Sequence, residues 1–344
     1  MLKDRPRIAH YSLWSPNRSG LHMAVVDQIK YERLAGLDSL FINCDVEDPD
    51  PNRFTEDGIT AVPWREAESS DVWVLHRSIP GKLMPMLHKK KSIAVLHGTS
   101  EILMLHEIES AGKNDKFNMH LEFMDQFQKV VTITKNDTDI MKQYDNGRNK
   151  VVYIPDSIDL EKYSLEGHAW DYKYRPAIIS TTNIRINKNP APLFWAMPRI
   201  IELIPTARLN VYGINLNEII TWKNIVLKSG KIGTSIENIH GQFFDLRPFL
   251  RGADIGFNSN YNGIFSRDSM EQMASGCSVV AYTSEHTPYV CERTIESIAQ
   301  TIKKAFEDLY RDPEGQILKN RKYAEDNFCM KKAVKKYIDL YNML

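Results

Sequence analysis

The feature that most constrains this chain is an alternation of short β-rich runs with helical patterns that persists almost from end to end. The runs Arg7–Ser12, Ser39–Asn43, Val72–His76, Ile93–His97, Val130–Thr134 and Val151–Ile154 are separated by stretches with apolar residues at helical spacing. Leu21–Ala35 and Lys135–Tyr144 are the clearest of these. A strand–helix–strand alternation predicts a parallel sheet covered by helices, an α/β fold.

A second series follows with the same rhythm. Its strands are expected at Ala177–Thr181, Arg208–Tyr212, Asn238–His240, Asp254–Asn258 and Ser278–Tyr282. Its helices are expected at Pro190–Leu203, Asn215–Lys228, Arg267–Ser275 and Glu292–Tyr310. Between the series lies Pro155–Pro176, polar, rich in turn formers and expected to connect two domains. A chain of 344 residues exceeds a single comfortable core. Domains are therefore expected over 1–160 and 161–329, and Met330–Leu344, with Val334, Tyr337, Ile338 and Tyr341 at helical spacing, is expected to pack back on the first. Doubly wound domains bind ligands at the carboxyl ends of their strands, so a cleft between the two is the expected site.

Composition narrows the class. Apolar residues are 42% and charged residues 26%, as in an ordinary globular enzyme. No apolar run approaches the roughly 20 residues needed to cross a bilayer. Met1–Pro6 carries charges with no apolar segment behind them, so a secretory leader is not expected. Cys44, Cys277, Cys291 and Cys329 include no Cys-x-x-Cys pair, which points to free thiols in a reducing cytoplasm. Residues 1–165 carry 21 Lys+Arg against 25 Asp+Glu, and the remainder 23 against 19. The mild positive excess of the second half suits a domain that holds phosphates. Seven of the ten histidines lie between His10 and His120.

The chemistry is most legible between Ala253 and Val290. Within it, Phe265-Ser-Arg-Asp-Ser-Met-Glu-Gln-Met-Ala-Ser-Gly-Cys-Ser-Val-Val-Ala281 reads as loop, helix, glycine stop and buried strand. A helix start offers unpaired backbone N–H groups and the positive end of the helix dipole, which suits a diphosphate. This stretch resembles the large retaining GT-B glycosyltransferases of the glycosyltransferase 4-like, glycogen synthase/mannosyltransferase type. Their second domain carries Glu-x7-Glu leading into an Ala-x-Gly-x-Pro-Val-Val-Ala run. Met273–Ala281 is similar to that run, Glu271 falls on the second Glu, and Gly263 stands where the first is expected. The resemblance implies a GT-B fold of two facing Rossmann-like domains with a cleft between them, and a Glu271 that holds the donor ribose.

Other segments resemble the family in order. Val151–Asp159 resembles its Pro-Asn-Gly-Val-Asp junction, and Ile178–Gly213 its first donor-side β-α-β unit. Lys188 falls near the family's diphosphate-binding Lys, and Arg185 is the substitute for its Arg partner, whose usual place holds Asn183. Such a cation pair stabilises charge building on a departing diphosphate without a metal. His97, closing the strand Ile93–His97 before Gly98, corresponds to a His that orients the donor sugar. Gly20, after the first strand, permits close backbone approach. The loop His240-Gly241-Gln242-Phe243 resembles the one beside the nucleobase, with Phe243 or Phe244 near the base. Phe265 and Ser266 lead the diphosphate-facing amides into Glu271, and Glu285-His286 replaces the family's Gly-Gly near the sugar.

The resemblance thus implies transfer of a hexosyl or pentosyl group from a nucleotide sugar, such as a UDP- or GDP-sugar, to an acceptor hydroxyl with retention. No metal and no further cofactor is expected. The acidic first half favours a saccharide or small-molecule acceptor; a hydroxylated DNA base stays open, as His88-Lys89-Lys90-Lys91 could touch phosphate. Oligomeric state is not legible. Competing readings are a catalytically degenerate GT-B module, a nucleotide-sugar epimerase or phosphorylase on the same scaffold, and a metal-dependent transferase using Asp48-Pro-Asp50 or Asp137-Thr-Asp139. For those two acid pairs, turn and capping roles are favoured. Absence of Gly-x-Gly-x-x-Gly after the first strand argues against an NAD enzyme.

Overall fold

The computed structural model describes residues 6–12, 20–43, 55–76, 87, 89–97, 126–145, 147–181, 188–213, 230, 232–241, 245–260, 264–282, 284 and 286–344. The chain divides into two compact units, Met1–Ile158 with Cys329–Leu344, and Asp159–Phe328. In the first unit, the strands are β1 (Arg7–Ser12), β2 (Asp38–Asn43), β3 (Thr55–Glu56), β4 (Ile59–Val62), β5 (Val72–Leu75), β6 (Lys91–Leu96), β7 (Lys129–Thr132) and β8 (Val151–Tyr153). Helix α1 (Gly20–Leu34) follows β1, and α2 (Lys135–Tyr144) follows β7. The sheet runs β3-β4-β2-β1-β5-β6-β7-β8, parallel except for the β3–β4 pair. That hairpin was not expected, although Asp57 and Gly58 at φ 52° and 72° form a turn of the Asp-Gly kind that joins short antiparallel strands.

In the second unit the strands are β9 (Ala177–Ser180), β10 (Arg208–Val211), β11 (Ile236–Ile239), β12 (Ile255–Asn258), β13 (Ser278–Ala281) and β14 (Tyr289–Val290). They form a parallel sheet in the order β11-β10-β9-β12-β13-β14. The helices are α3 (Ala191–Leu203), α4 (Arg247–Gly252), α5 (Arg267–Ala274), α6 (Ile295–Arg311) and α7 (Pro313–Asn327). Leu193, Met197 and Ile200 of α3, with Ile298 and Ile302 of α6, pack on Ile178, Leu209, Phe257 and Val280. The expected helix Asn215–Lys228 lies outside the described residues. Helix α7 was not expected because the residues it buries include Gln316 and Asn320, which give no apolar stripe. Its start signal is nevertheless present: Asp312 accepts a hydrogen bond from Gly315 N, and Pro313 occupies the first turn.

The stretch expected to connect the domains mostly belongs to the body of the second unit. The Tyr172 ring is buried, its hydroxyl is 3.1 Å from that of Tyr212, and Trp170 N donates to Pro248 O. Only the change of unit, between Ile158 and Asp159, falls within it. The last helix, α8 (Met330–Met343), lies on the sheet of the first unit, where Val334, Tyr337, Leu340 and Tyr341 pack against Ile8, Val74, Ile93 and Val95. Ala9, Tyr11, Trp73, Leu75 and Leu96 fill the opposite face. The two sets alternate along each strand, as a two-residue side-chain period requires.

Candidate active site

In a doubly wound sheet the crevice opens where strand order reverses, outside the carboxyl ends of the two strands concerned. In the second unit that point lies between β9 and β12, paired Ile178↔Ile255 and Ile179↔Gly256. The residues that follow there are polar. Ser180, Asn258, Ser259 and Asn260 are buried, and the Ser180 and Ser259 hydroxyls have no hydrogen-bond partner among the described residues. Buried hydroxyls left unpaired cost free energy unless a ligand or solvent supplies the bond.

Two elements converge on this crevice. Lys188 makes a backbone bridge to Asn260, and its Nζ lies 3.6 Å from Asp268 Oδ1 in the first turn of α5. Ser266 caps that helix by position, with its hydroxyl 3.3 Å from Ser269 Oγ. Glu271, one turn in, accepts from Arg267 Nε at 3.1 Å, and Gln272 Nε2 donates to Thr181 Oγ1 at 2.9 Å. Lys188, Ser266 and Glu271 are thus gathered around one helix start. Arg267 and Asp268, which no sequence argument singled out, are part of the same cluster. Asp268 already neutralises Lys188 and favours the positive helix end, so an anionic ligand has to compete with it.

Phe265 takes a different place. Its buried ring stacks on Phe328 with centroids 5.4 Å apart and lies 5.5 Å from His286, so its side chain is part of an aromatic cluster. The His286 ring is 3.1 Å from the Tyr323 hydroxyl within that cluster. Gly241, two residues beyond β11, accepts Gly213 N through its carbonyl at 3.1 Å. Arg185, Gln242, Phe243, Phe244, Gly263 and Glu285 lie outside the described residues, as do Asp48 and Asp50. Thr134 caps α2, and Asp137 lies in its first turn: the Asp137 N–H donates to Thr134 Oγ1 at 3.1 Å, and the Thr134 hydroxyl donates to Asp137 Oδ2 at 2.5 Å. Burial pushes the Cys277 thiol pKa up, with the Asp254 charge adding to it, so Cys277 is no thiolate nucleophile.

In the first unit strand order reverses between β1 and β5, and a row of histidines crosses that point. His10 Nδ1 is 2.9 Å from His76 Nε2, and His76 Nδ1 is 2.8 Å from His97 Nε2. At the other end His10 Nε2 is 2.7 Å from Glu32 Oε2. The register explains the line. His10 pairs with Val74 and Leu75 pairs with Ala94, so each histidine stands two residues farther along than its neighbour and on the same face. His10 and His76 are buried, whereas His97, just beyond β6, is half-buried.

Glu32 of α1 is 0% exposed and accepts hydrogen bonds on both oxygens. Gln28 and Tyr341 donate to Oε1 at 2.9 and 2.7 Å, and Ser39 to Oε2 at 2.6 Å. Burial by itself raises the Glu32 pKa, but the His10 charge and the bonds from His10, Ser39 and Tyr341 more than offset it and hold it below the usual carboxylate value. Burial, followed by the charges of His97 and His10, pushes His76 well below an ordinary histidine. Only His97 of this row was singled out in the sequence; a histidine within or just beyond each of three neighbouring strands was the available signal. Gly20 is the exposed first residue of α1.

No family model and no curated protein sequence matches this chain. Solved structures do. The chain is similar to the pneumococcal O-GlcNAc transferase GtfA in complex with UDP and GlcNAc, at 11% identity, 99% coverage of each chain and a TM-score of 0.71. It is similar to sucrose-phosphate synthase from Thermosynechococcus elongatus, at 12% identity, covering 98% of this chain and 99% of that one, with a TM-score of 0.77. It is also similar to Anabaena HepE in complex with UDP-glucose, at 11% identity, covering 99% and 100%, with a TM-score of 0.73. The likeness runs through both units, and the fold is GT-B.

Proposed function

We propose that the protein is a nucleotide-sugar-dependent glycosyltransferase that moves a hexosyl or pentosyl group from a UDP- or GDP-sugar to an acceptor hydroxyl with retention. The observation that carries the proposal is the meeting of Lys188, the α5 start and the unpaired Ser180 and Ser259 hydroxyls at the β9/β12 reversal. A cation beside oriented N–H groups and polar hydroxyls matches a sugar diphosphate better than it matches an apolar or cationic ligand. The GT-B fold, shared with proteins solved with UDP and UDP-glucose, supports the same reading.

In this reading the α5 amides and Lys188, with Arg185, take up charge as the diphosphate leaves, and no metal is required. Glu271 binds the ribose hydroxyls, and the loop Gly241–Phe243 flanks the base. The departing diphosphate oxygen takes the proton of the hydroxyl that attacks on the same face. His97 of the first unit hydrogen-bonds a sugar hydroxyl. The acceptor is a saccharide or other small hydroxyl compound, with a hydroxylated DNA base as the further class to screen. Three cysteines unpaired among the described residues agree with a reducing cytoplasm.

The test is a thermal-shift screen over sugar nucleotides, followed by transfer of labelled sugar and assignment of the product anomer. Lys188→Ala is expected to cut transfer by about a hundredfold or more, in line with loss of one charge-stabilising group. Near-normal transfer by this variant overturns the diphosphate assignment. Nucleotide binding without transfer to any acceptor class identifies a binding module instead.

A further inference from the structure

Gln272 differs from the other residues around the β9/β12 crevice in being fully buried and only half satisfied. Its side chain is 0% exposed and its Oε1 has no hydrogen-bond partner, while its Nε2 donates to Thr181 Oγ1 at 2.9 Å. The side chain crosses the middle of β12 at Gly256. A Cβ there would lie 2.3 Å from Gln272 Oε1 and 2.9 Å from its Cδ, so the strand carries glycine where the amide passes. A methionine would fill the same space without stranding a carbonyl, so stability alone favours an apolar residue at this position. What the amide adds is the bond to Thr181.

Thr181 directly follows Ser180, the last residue of β9, and β9 is one of the two strands at the reversal. It is half-buried, whereas Ser180 is fully buried. Because Oγ1 accepts from Gln272, the hydroxyl hydrogen is left to be given, and the β-branched side chain holds the oxygen in a narrow range of χ1. A donor of fixed direction suits a group that only accepts. Anionic phosphate oxygens are such a group; sugar hydroxyls, which bring a hydrogen of their own, fit less well.

We infer that Thr181 is a phosphate-binding residue of the crevice, donating its hydroxyl hydrogen to a diphosphate oxygen, and that Gln272 is the positioning residue that aims it. The inference rests on the glycosyl-transfer reading, which puts a nucleoside diphosphate at this strand reversal. It adds a neutral donor on β9 to the Lys188 cation and the α5 amides. The same helix then serves the ligand twice, through the amides at its start and through Gln272 farther along. The Lys188–Asp268 pair gives a neutral donor its value here. A diphosphate must displace Asp268 to reach the lysine, whereas a hydroxyl held by an amide has no counter-ion to lose.

The experiment is isothermal titration of the full-length protein with UDP and GDP, and with uridine and guanosine as references that lack the phosphates. Thr181→Val keeps the shape and removes the hydroxyl. It is expected to weaken diphosphate binding about tenfold and to leave nucleoside binding unchanged. Thr181→Ser restores the donor and is expected to bind within about threefold of the unaltered protein. Gln272→Met keeps the buried volume but lets the hydroxyl rotate. It is expected to weaken diphosphate binding about threefold to tenfold, while its Tm holds or rises because no carbonyl is stranded. The combined variant is expected to bind no more weakly than Thr181→Val alone, since Gln272 acts through Thr181. Unchanged diphosphate affinity in Thr181→Val overturns the inference, as do an equal loss for the nucleosides and additive losses in the combined variant. Those outcomes leave the glycosyl-transfer reading standing wherever the unaltered protein binds a diphosphate and Lys188→Ala weakens it. An unaltered protein that binds neither UDP nor GDP overturns the reading and the inference together.

Discussion

At the scale of single residues, the donor-side cluster is a competition among charges. Lys188 is paired with Asp268 at 3.6 Å, with side-chain exposures of 32% and 16%, so any diphosphate must displace a carboxylate from the same cation. Asp268→Asn is therefore expected to tighten binding of a nucleoside diphosphate about threefold to tenfold, the worth of a partly exposed ion pair. Isothermal titration at low and moderate salt checks this, and weaker binding by the variant would show that Asp268 holds Lys188 in place instead. Glu271 needs a milder substitution. Its partner Arg267 is buried, and Glu271→Ala would strand that charge. Glu271→Gln keeps the shape and is expected to lower nucleotide affinity about tenfold, through weaker ribose hydrogen bonds, with little change in Tm. Equal affinity for a nucleotide and its 2′,3′-dideoxy analogue in the unaltered protein would remove Glu271 from the ribose.

At the scale of elements, the position of that cluster depends on how α5 stops. Gly276 follows the helix at φ 99°, and a Cβ there would lie 3.0 Å from Ile317 Cγ2 and 3.2 Å from Leu165 Cδ2. Gly276→Ala is expected to cost about 1–3 kcal/mol, from left-handed backbone strain plus the contact with α7, measured by denaturant unfolding. A smaller cost would mean that the turn relaxes. The Ser-Gly stop before Cys277-Ser-Val-Val-Ala281 was legible because glycine tolerates that backbone and an apolar run marks a buried strand. The same logic located β1, α1 and β12 closely. It missed α7, whose inward side carries Gln316 and Asn320: Asn320 Nδ2 donates to Gly276 O and Ser278 Oγ. A helix that packs through hydrogen bonds leaves no apolar period in its sequence. The histidine row was hidden for a related reason, since it depends on strand register, which pairs residues far apart in the chain.

At the scale of the whole molecule, the alternating pattern implied two doubly wound units, but it could not say which buried polar groups each unit must keep neutral. His76 sets one such requirement. Its folded pKa is depressed well below the roughly 6.5 of an unfolded histidine, chiefly by burial and then by the charges of His97 and His10. The unfolded chain consequently binds a proton that the folded chain refuses once the pH drops below about 6.5, and stability rises with pH across that window. The full stability is present above the unfolded value and is lost as the pH falls towards the folded one. Each such proton costs about 1.4 kcal/mol per pH unit inside the window. Glu32 continues the trend at lower pH: its folded pKa lies below the usual carboxylate value, so its contribution fades as the pH falls through the carboxylate range. Calorimetric Tm values are expected to decline from about pH 6.5 downward, with a shallower upper part in His76→Phe and a shallower lower part in Glu32→Gln. A ring without a titratable nitrogen fills the same space between His10 and His97, so the His76→Phe comparison separates refused protons from lost packing. If the two profiles run parallel across the histidine range, the burial of His76 does not set the acid sensitivity of this fold.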